Sequence, residues 1–412
     1  MIDYLYVYAF VYLKQNSNTS ILFNVYNKKR IVSSNSNVYK IVSRICRSQL
    51  TYKGSVIFKK ELLDPIVCDF INKVLEYSMG GYMKVKKGEM PIQFPSEIFV
   101  SDYTDIENKI LSYDFTSKRY KNEYDSLFSK ISKEMMQNFI GLTIYIGGVK
   151  DDKYKFVSKQ YRYPFYSDDN TMIDLDIILN WISPQKPDVL NLVVGDIGER
   201  ELIKIKNNIS LETLSVNWFI LSDYFSLFEI DYLKRNNNSF YVWTPVSVKN
   251  EELHLRNVHF YYLCENEDDI KCSNNNSVGD NTYILPFYNG RNYSFCKKHL
   301  SYSFGELKNS IDEEYQFRIN HIINSNIFGE IRIDTWGNVF SDINKNKLGT
   351  IFETSLDDII YFELFKYRNW FFPRNLLPVC SECLYSDLCP PISDFENYCN
   401  KYKLCKQKKR QF

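Results

Sequence analysis

The stretch LTIYIGG, residues 142–148, decides the fold of this chain, because it is a short apolar run of β-forming residues that ends in two glycines. A helical pattern follows it, and then a second such run, VLNLVVGD at 189–196. The alternation continues, with helix-type runs at 173–183 and 199–209 and strand-type runs at 217–221, 239–245, 257–263 and 282–288. Short apolar strands that alternate with helices predict an α/β fold with a parallel sheet, either flat or curved into an open barrel.

The composition is that of a globular protein with two or three domains. Its 412 residues exceed what one ordinary core organises, and 44% hydrophobic with 25% charged residues excludes a disordered chain. A net charge of +1 gives no overall field for nucleic acid or a membrane, and we expect no spanning helix because no run of 18 apolar residues occurs. We see no export signal and expect a cytoplasmic protein, whose clustered cysteines would serve metal binding or catalysis.

The first 95 residues have the order of a small winged-helix-like module. Two β-type runs joined by the polar turn QNSNTS predict a hairpin, and two runs with helical spacing and another strand follow. Pro65 suits the first turn of the second helix. The β-type runs are 4–14, 20–32 and 80–85, and the helical runs are 37–46 and 65–77.

Three further segments have recognisable patterns. A polar stretch at 102–135 predicts a helical connector, and the Asn/Asp-rich stretch 266–281 predicts a surface loop. Gly337 and Asn338 predict a hairpin, after which 355–367 predicts a helix.

The cysteines are concentrated at the C-terminal end, where five of the ten lie in the last 33 residues. Cys380, Cys383 and Cys389 have the spacing Cys-x2-Cys-x5-Cys, and Cys399 and Cys405 follow. A Cys-x2-Cys turn directs two sulfurs at one ion or cluster, and further thiolates complete four soft ligands. The x5 spacing favours a [4Fe–4S] cluster, since structural zinc generally uses two Cys-x2-Cys pairs; zinc and free or disulfide-bonded thiols are the alternatives.

The segment WFFPRNLLPVCSECLYSDLCPPISDFENYCNKYKLC, residues 370–405, resembles the SPASM domain, the auxiliary-cluster module of peptide-modifying radical SAM enzymes. More narrowly, it is similar to the pseudo-radical-SAM proteins of peptide maturation systems in Bacteroidetes-type bacteria. The likeness extends upstream over GNVFSDINKNKLGTIFETSLDDIIYFE, 337–363, and covers the middle of the chain only as architecture. It implies a degenerate radical SAM partial (β/α) barrel between an N-terminal winged-helix-like (PqqD-like) module and a cysteine-rich SPASM-like domain.

The family pattern usually provides ligands for two auxiliary clusters, and one set is complete here. Gly337 matches the family's glycine, but Asp342 and Ser393 occupy cysteine positions, and no cysteine lies 9 to 15 residues before Gly337. In the family these three cysteines all serve the first auxiliary cluster. The resemblance therefore implies that only the second cluster is retained, as one [4Fe–4S] cluster. Its ligands would be Cys380, Cys383, Cys389 and Cys405, with Cys399 as the alternative fourth ligand.

The motif that holds the radical-generating cluster is missing. A radical SAM enzyme carries Cys-x3-Cys-x2-Cys after its first barrel strand, whereas no cysteine occurs between Cys68 and Cys264. The family's Gly-Gly-Glu motif at the second strand is at best the altered VGDIGE, residues 194–199. We therefore expect no cleavage of S-adenosylmethionine and no catalytic residue.

These observations predict a precursor-peptide-binding or scaffold subunit in ribosomal peptide maturation. The predicted domains are a PqqD-like module at 1–95, a degenerate partial barrel at 96–330 and a SPASM-like domain at 331–412. PqqD-like modules add a peptide strand to a sheet edge beside a helix, and we place this groove at 20–27 and 38–48. The expected partners are a precursor peptide and an active radical SAM maturase or another maturation protein, without nucleic acid.

Two alternatives stay open. The chain could be an enzyme that uses the barrel pocket for chemistry independent of S-adenosylmethionine, for which Asp196, Glu199 and Arg200 are the candidates. It could also be a zinc-stapled peptide-binding protein without a redox role.

Overall fold

The computed structural model describes most of the chain. The described residues are 1–8, 10–47, 54–86, 141–167, 175–182, 187–208, 215–234, 238–248, 255–276, 281–303, 305–307, 316–402 and 404–405. The connector helix predicted at 102–135 lies outside them.

The N-terminal part contains two small antiparallel sheets. The strands are β1 Ile2–Val7, β2 Val11–Gln15, β3 Ser20–Asn24, β4 Arg30–Ser33, β5 Gly54–Ile57 and β6 Gly80–Val85, and the helices are α1 Ser36–Arg47 and α2 Pro65–Glu76. The hairpin predicted around QNSNTS is confirmed as the antiparallel pair β2–β3. The first β-type run, however, divides between β1 and β2, which belong to the separate sheets β5–β1–β6 and β2–β3–β4.

Both helices cover these sheets with one apolar face. In α1 the buried residues Val38, Ile41, Val42 and Ile45 recur at helical spacing. Helix α2 begins at Pro65, as predicted, and the Asp64 side chain caps it by accepting the Ile66 amide. Residues of both sheets and both helices then share one apolar core, so this part of the chain is a single packed unit.

The middle of the chain builds a large, mainly parallel sheet. Its strands are β7 Gly141–Ile146, β10 Val189–Val194, β11 Ser215–Leu221, β12 Asn238–Thr244, β13 Val258–Cys264, β14 Thr282–Pro286, β15 Glu330–Ile333, β16 Asn338–Phe340 and β17 Gly349–Thr350, while β8 Gly148–Val149 and β9 Phe165–Tyr166 form a separate pair. From β7 and β10 to β14 the parallel strands lie side by side in chain order. The crossovers from β7 to β14 therefore run in one direction, as they do in a (β/α) barrel, whereas the connection to β15 returns to the other side of β7.

On the other side of β7 the sheet continues into the C-terminal part of the chain. Strand β15 pairs with β7 in parallel, and β16 and β17 add antiparallel, which confirms the hairpin predicted at Gly337 and Asn338. The boundary predicted between 330 and 331 thus falls within one strand of a continuous sheet. The prediction of an α/β fold is confirmed at the level of a mixed chain with a large, mainly parallel sheet.

Helices cover one face of this sheet. They are α3 Leu175–Ile182, α4 Glu199–Asn208, α5 Ser222–Phe225, α6 Ile230–Leu233 and α10 Leu356–Tyr361. The other helices of this part of the chain, which contribute no residue to the core on that face, are α7 Glu267–Asn276, α8 Tyr293–Leu300, α9 Gln316–Ile322 and α11 Asp394–Cys399. Leu202 and Ile205 of α4 pack with alternate strand residues such as Leu190 and Leu192. The intervening residue Val193 belongs to a second core on the opposite face, together with Tyr145 and Phe219.

Two segments differ in local structure from the sequence-based prediction. The segment predicted as a loop at 266–281 contains helix α7, so that prediction was wrong. The helix predicted at 355–367 divides into α10 and a π-helical turn, Phe362–Tyr367. Among the described residues, no helix is long and apolar enough to span a membrane.

Candidate functional site

The cysteine-rich segment is a succession of tight turns. The Cys383 amide donates to the Cys380 carbonyl at 2.9 Å and closes the Cys-x2-Cys turn. The Cys389 amide donates to the Tyr385 carbonyl at 3.0 Å, directly after the 3-10 turn Ser386–Leu388. All three sulfurs therefore lie on one short, irregular segment whose backbone is held by its own hydrogen bonds.

Four of the five C-terminal thiols lie within electrostatic reach of one another. Burial raises the pKa of Cys389 to about 12, and the adjacent Arg374 guanidinium opposes this shift. The nearby thiols of Cys380, Cys383 and Cys405 raise the same pKa further. Such mutual repulsion between thiolates is what a bound cation or cluster would relieve.

The two candidates for the fourth ligand have different surroundings. Cys405 pairs with Tyr302 in an isolated parallel β-bridge. Burial raises the pKa values of Cys380, Cys383 and Cys389, and the charge of Cys405 raises them further. Cys399, at the end of α11, packs in an apolar cluster with Cys296 instead. Burial, followed by the charge of Cys399, raises the pKa of Cys296 to about 12. Of the two candidates, Cys405 is therefore the one that acts electrostatically on Cys380, Cys383 and Cys389.

Arg374 is a residue of this site that the sequence patterns did not indicate. Its guanidinium donates to Glu396 at 2.8 and 2.7 Å and to the carbonyls of Pro390 and Pro391 at 2.8 and 3.1 Å. Burial raises the pKa of Cys380, and Arg374 counteracts that rise by charge and hydrogen bonding. Arg374 thus fixes the turn after Cys389 and stabilises thiolates beside it.

The donor set fits a four-thiolate metal or cluster site in its chemistry. Its members are half-buried, carry soft sulfur ligands and have one guanidinium beside them. Within the described residues, however, no group of three or more His, Cys, Asp or Glu side chains is arranged so that it could hold a metal ion. Binding would therefore require the thiols to deprotonate and draw together, as metal sites that form on binding do.

The positions where the family carries its other cluster have polar partners here. Asp342 is fully buried and accepts the Asn397 side-chain amide at 2.6 Å. Ser393 caps α11, and Glu396 completes a capping box with it. Both residues are therefore built into a hydrogen-bonded contact between the β16 end and α11.

Next to them a buried ion-pair chain joins the sheet to α11. Arg332 donates to Asp394 at 2.8 Å, and Arg162 donates to Glu330 at 2.9 Å. Burial opposes the ionisation of Glu330, but Arg162, Arg332 and a hydrogen bond from Thr143 lower its pKa to about 2. These charges hold β15, β7 and the loop before β9 against the C-terminal helix.

The loop after β7 occupies the face of the sheet that the helices leave open. Its residues Val157, Tyr163 and Phe165 are buried, with 0%, 4% and 7% of their surface exposed. They pack in one cluster with Tyr145, Phe219 and other inward-facing strand residues. The segment that follows β7 therefore covers this face of the sheet with its own side chains.

The glycines of the altered second-strand motif serve close packing. A Cβ on Gly195 would lie 2.5 Å from the Gly148 carbonyl oxygen, and the Asp196 amide donates to that oxygen at 2.6 Å. Asp196 lines a cavity at this edge of the sheet. Glu199 and Arg200 are exposed at the start of α4 and are not among the lining residues, so the structure does not bring the three candidates together.

Sheet β2–β3–β4 packs directly on residues 380–389, the cysteine loop. The Tyr12 hydroxyl donates to the Leu384 carbonyl at 2.9 Å, and the Lys14 ammonium donates to the Ser386 hydroxyl and to Asp387 at 3.2 Å. All three partners lie between Cys383 and Cys389. Sheet β2–β3–β4 and the cysteine loop therefore share one interface.

The groove predicted at 20–27 and 38–48 was placed on the wrong strand. Strand β3 is the central strand of its sheet, and both of its edges are hydrogen-bonded, to β2 and to β4. A peptide strand cannot add there, because strand addition requires free amides and carbonyls along one edge. Within the described residues, β4 is an edge strand of this sheet.

No family model matches this sequence, and no curated protein matches it significantly. Among solved structures, SuiB from Streptococcus suis is similar. The crystal structure of SuiB bound to precursor peptide SuiA aligns with a TM-score of 0.37 and 12% identity, over 93% of this chain and 94% of that chain. A second SuiB crystal structure gives a TM-score of 0.35 at the same identity and coverage.

Proposed function

We propose that this protein is a non-catalytic relative of radical SAM peptide maturases that binds a precursor peptide or acts as a scaffold during its maturation. The loop after β7 carries the argument. In a radical SAM enzyme this loop would have to hold three thiolates beside an open pocket. Here it contributes no cysteine and buries Val157, Tyr163 and Phe165 in the interior instead.

The cysteine site would be the part of the cluster machinery that is kept. We place one [4Fe–4S] cluster on Cys380, Cys383, Cys389 and Cys405, and zinc on the same thiols is the alternative. A cluster with four thiolate ligands has no iron open to substrate, so when bound it would supply cross-linking and electron transfer rather than catalysis. Support comes from the mutual electrostatic effects of these thiols and from the separate surroundings of Cys399.

The peptide site that the sheet geometry supports best is the edge of β4. This strand alternates between exposed and buried residues, with Ile31 in the core and Val32 36% exposed. Its sheet also contacts the cysteine loop through Tyr12 and Lys14. A peptide strand added to β4 would extend a sheet that is already tied to the candidate cluster.

The metal is tested by anaerobic purification with iron, sulfide and zinc counts and an absorption spectrum near 400 nm. We expect about four iron and four sulfide per chain. Stoichiometric zinc without sulfide would end the cluster assignment and leave the zinc-stapled alternative.

Peptide binding is tested by amide hydrogen exchange with peptides encoded by short reading frames beside the gene. We expect residues 30–33 to become protected, whereas the edge strands 54–57 and 80–85 of the other sheet serve as internal controls. Protection of neither sheet by any such peptide, or the lack of both a peptide gene and a radical SAM gene nearby, would contradict a role in maturation.

A further inference from the structure

Two further thiols share one small cluster away from the cysteine loop. Cys296 lies in the middle of α8 and is fully buried. Cys399, the last residue of α11, is half-buried and packs against the same apolar cluster, whose other members include Phe395 and Leu404. The two cysteines are far apart in sequence, so tertiary packing and not local spacing brings them into one cluster.

The packing of α8 on α11 places both thiols at the contact between these helices. The rings of Tyr293 and Phe395 stack across it, with 6.4 Å between their centroids and an angle of 5° between their planes. Tyr293 and Cys296 are three residues apart and therefore lie on the same face of α8. Burial raises the pKa of Tyr293, and the charges of Cys399 and Cys296 are among those that raise it further. Both thiols are therefore within electrostatic reach of the same hydroxyl.

The surroundings of this pair favour uncharged sulfur. Burial raises the pKa of Cys399 to about 11, and the Lys401 ammonium opposes that shift. Burial, followed by the charge of Cys399, raises the pKa of Cys296 to about 12. Both groups are therefore neutral thiols at neutral pH. A bond between the two sulfurs suits this apolar cluster, because it carries no charge that burial would penalise.

We propose that Cys296 and Cys399 are a redox pair that closes reversibly into a disulfide by exchange with a low-molecular-weight disulfide. The half-buried Cys399 reacts first: its thiolate attacks one sulfur of the small disulfide, whose S–S bond breaks, and the other half leaves as a thiol with the proton that Cys399 lost. Cys296 then attacks the Cys399 Sγ, and the second small thiol leaves with the Cys296 proton. Two electrons pass from the two protein thiols to the small disulfide, which is reduced to two thiols.

This bond would tie α8 to α11 beside the candidate ligand Cys405. Leu404, which precedes Cys405, belongs to the same cluster as the two thiols, and Tyr302, shortly after α8, pairs with Cys405. The disulfide would also close a long loop of the chain, which restricts the unfolded state and stabilises the folded one. Oxidation of the pair therefore fixes the backbone that positions Cys405.

The test treats the full chain, as purified, with oxidised glutathione, blocks the remaining thiols with N-ethylmaleimide and maps the peptides by mass spectrometry. We expect a peptide pair joined through Cys296 and Cys399, which dithiothreitol separates again, and a melting temperature several degrees above that of the reduced chain. The rate of closure should rise about tenfold for each unit of pH between about 7 and 9, because the attacking thiolate is the minor form there.

Variants assign the role of each thiol. Cys296→Ala should trap glutathione on Cys399 as a mixed disulfide, whereas Cys399→Ser should leave the fully buried Cys296 unmodified. Cys272→Ser removes an exposed thiol of α7 and is the matched control, in which the cross-link should form as in the wild type. Two results on the wild-type chain, which do not depend on the folding of any variant, would overturn the inference. One is a disulfide that joins Cys399 to Cys405, and the other is a pair that stays free after Cys272 has reacted completely.

Discussion

Individual residues show how the end of β16 is joined to α11. Asp342 and Ser393 occupy cysteine positions of the family pattern, and each has a defined hydrogen-bond partner, Asn397 and Glu396. These hydrogen bonds and the neighbouring Arg332–Asp394 pair hold α11 against the end of β16.

The identity of the fourth ligand in the cysteine site can be tested directly. Cys405→Ser should lower the metal bound per chain by at least half, because one of four soft ligands is lost. Cys399→Ser, the matched control, should leave the metal content unchanged, since its thiol packs beside Cys296. The measurement is metal and sulfide per chain after anaerobic reconstitution. The reverse pattern would assign the fourth ligand to Cys399.

The buried ion pairs predict a large loss of stability. Arg332→Met leaves Asp394 buried without the guanidinium that neutralises it, and Glu330 keeps only Arg162. Breaking such a pair on one side costs about 3–5 kcal/mol, which urea unfolding followed by fluorescence would measure. Lys271→Met, which removes an exposed pair with Asp268, should leave the free energy of unfolding almost unchanged. Equal effects of the two substitutions would show that the buried network contributes no special stability.

The sequence predicted part of this site and not the rest, for a physical reason. Spacing alone indicates Cys380, Cys383 and Cys389, because a tight turn is a local property of the backbone. Arg374 and Lys14 reach the same segment from elsewhere in the fold, and an isolated arginine or lysine has no local pattern that distinguishes it from a solvated one. Sequence predicts ligands here, whereas their supporting charges depend on tertiary packing.

Some secondary-structure elements could likewise be predicted from the sequence, and others could not. Strands β7 and β10 to β14 were predictable because each is an apolar run bounded by turn residues. Helix α7 was not, since Glu267–Asn276 is rich in Asn and Asp, residues that favour turns. Local capping stabilises the start of α7, because the Asn266 side chain accepts the amides of Asp268 and Asp269. Capping at the N-terminus of α7 therefore outweighs the low average helix propensity of its residues.

The π-helical turn Phe362–Tyr367 contains a carboxyl group whose titration should be measurable. Burial raises the pKa of Glu363 to about 7, although Ser341, Asn369 and the Trp370 amide donate hydrogen bonds to it. The folded state therefore holds this proton more tightly than the unfolded chain, where the pKa is near 4.5. Its contribution to stability is fully present below about pH 4.5 and is lost as the pH rises to about 7.

Glu363→Gln isolates that effect, because glutamine stays neutral at every pH. The difference in unfolding free energy between the variant and the wild type should change by at most about 3 kcal/mol between pH 4.5 and 7.5, in favour of the variant at the higher pH. Urea unfolding at the two pH values measures it. A difference that is constant with pH would show that folding does not raise the pKa of Glu363.

The whole molecule depends on contacts that join distant parts of the chain. Tyr12 and Lys14 meet Leu384 and Asp387 across more than 370 residues of sequence, and Tyr12, Ile21 and Phe23 form a small apolar cluster with Leu384 and Leu388. No local pattern could predict this interface, because it arises only when the N-terminal sheet and the C-terminal turns are both folded. It places the proposed peptide-binding sheet on the proposed cluster loop.

Because of this interface, we expect metal removal to change amide exchange in sheet β2–β3–β4. A metal or cluster on the cysteines restricts the turns between Cys383 and Cys389, to which Tyr12 and Lys14 are bonded. After chelation we expect faster amide exchange both at 380–389 and in β2 and β3, with the sheet β5–β1–β6 unchanged, as mass spectrometry of metal-loaded and metal-free protein would show. Lys14→Met should reproduce the β2 effect in loaded protein, since Asp387 loses its ammonium partner. Faster exchange confined to 380–405 would mean that the cluster loop and the N-terminal sheet are mechanically independent.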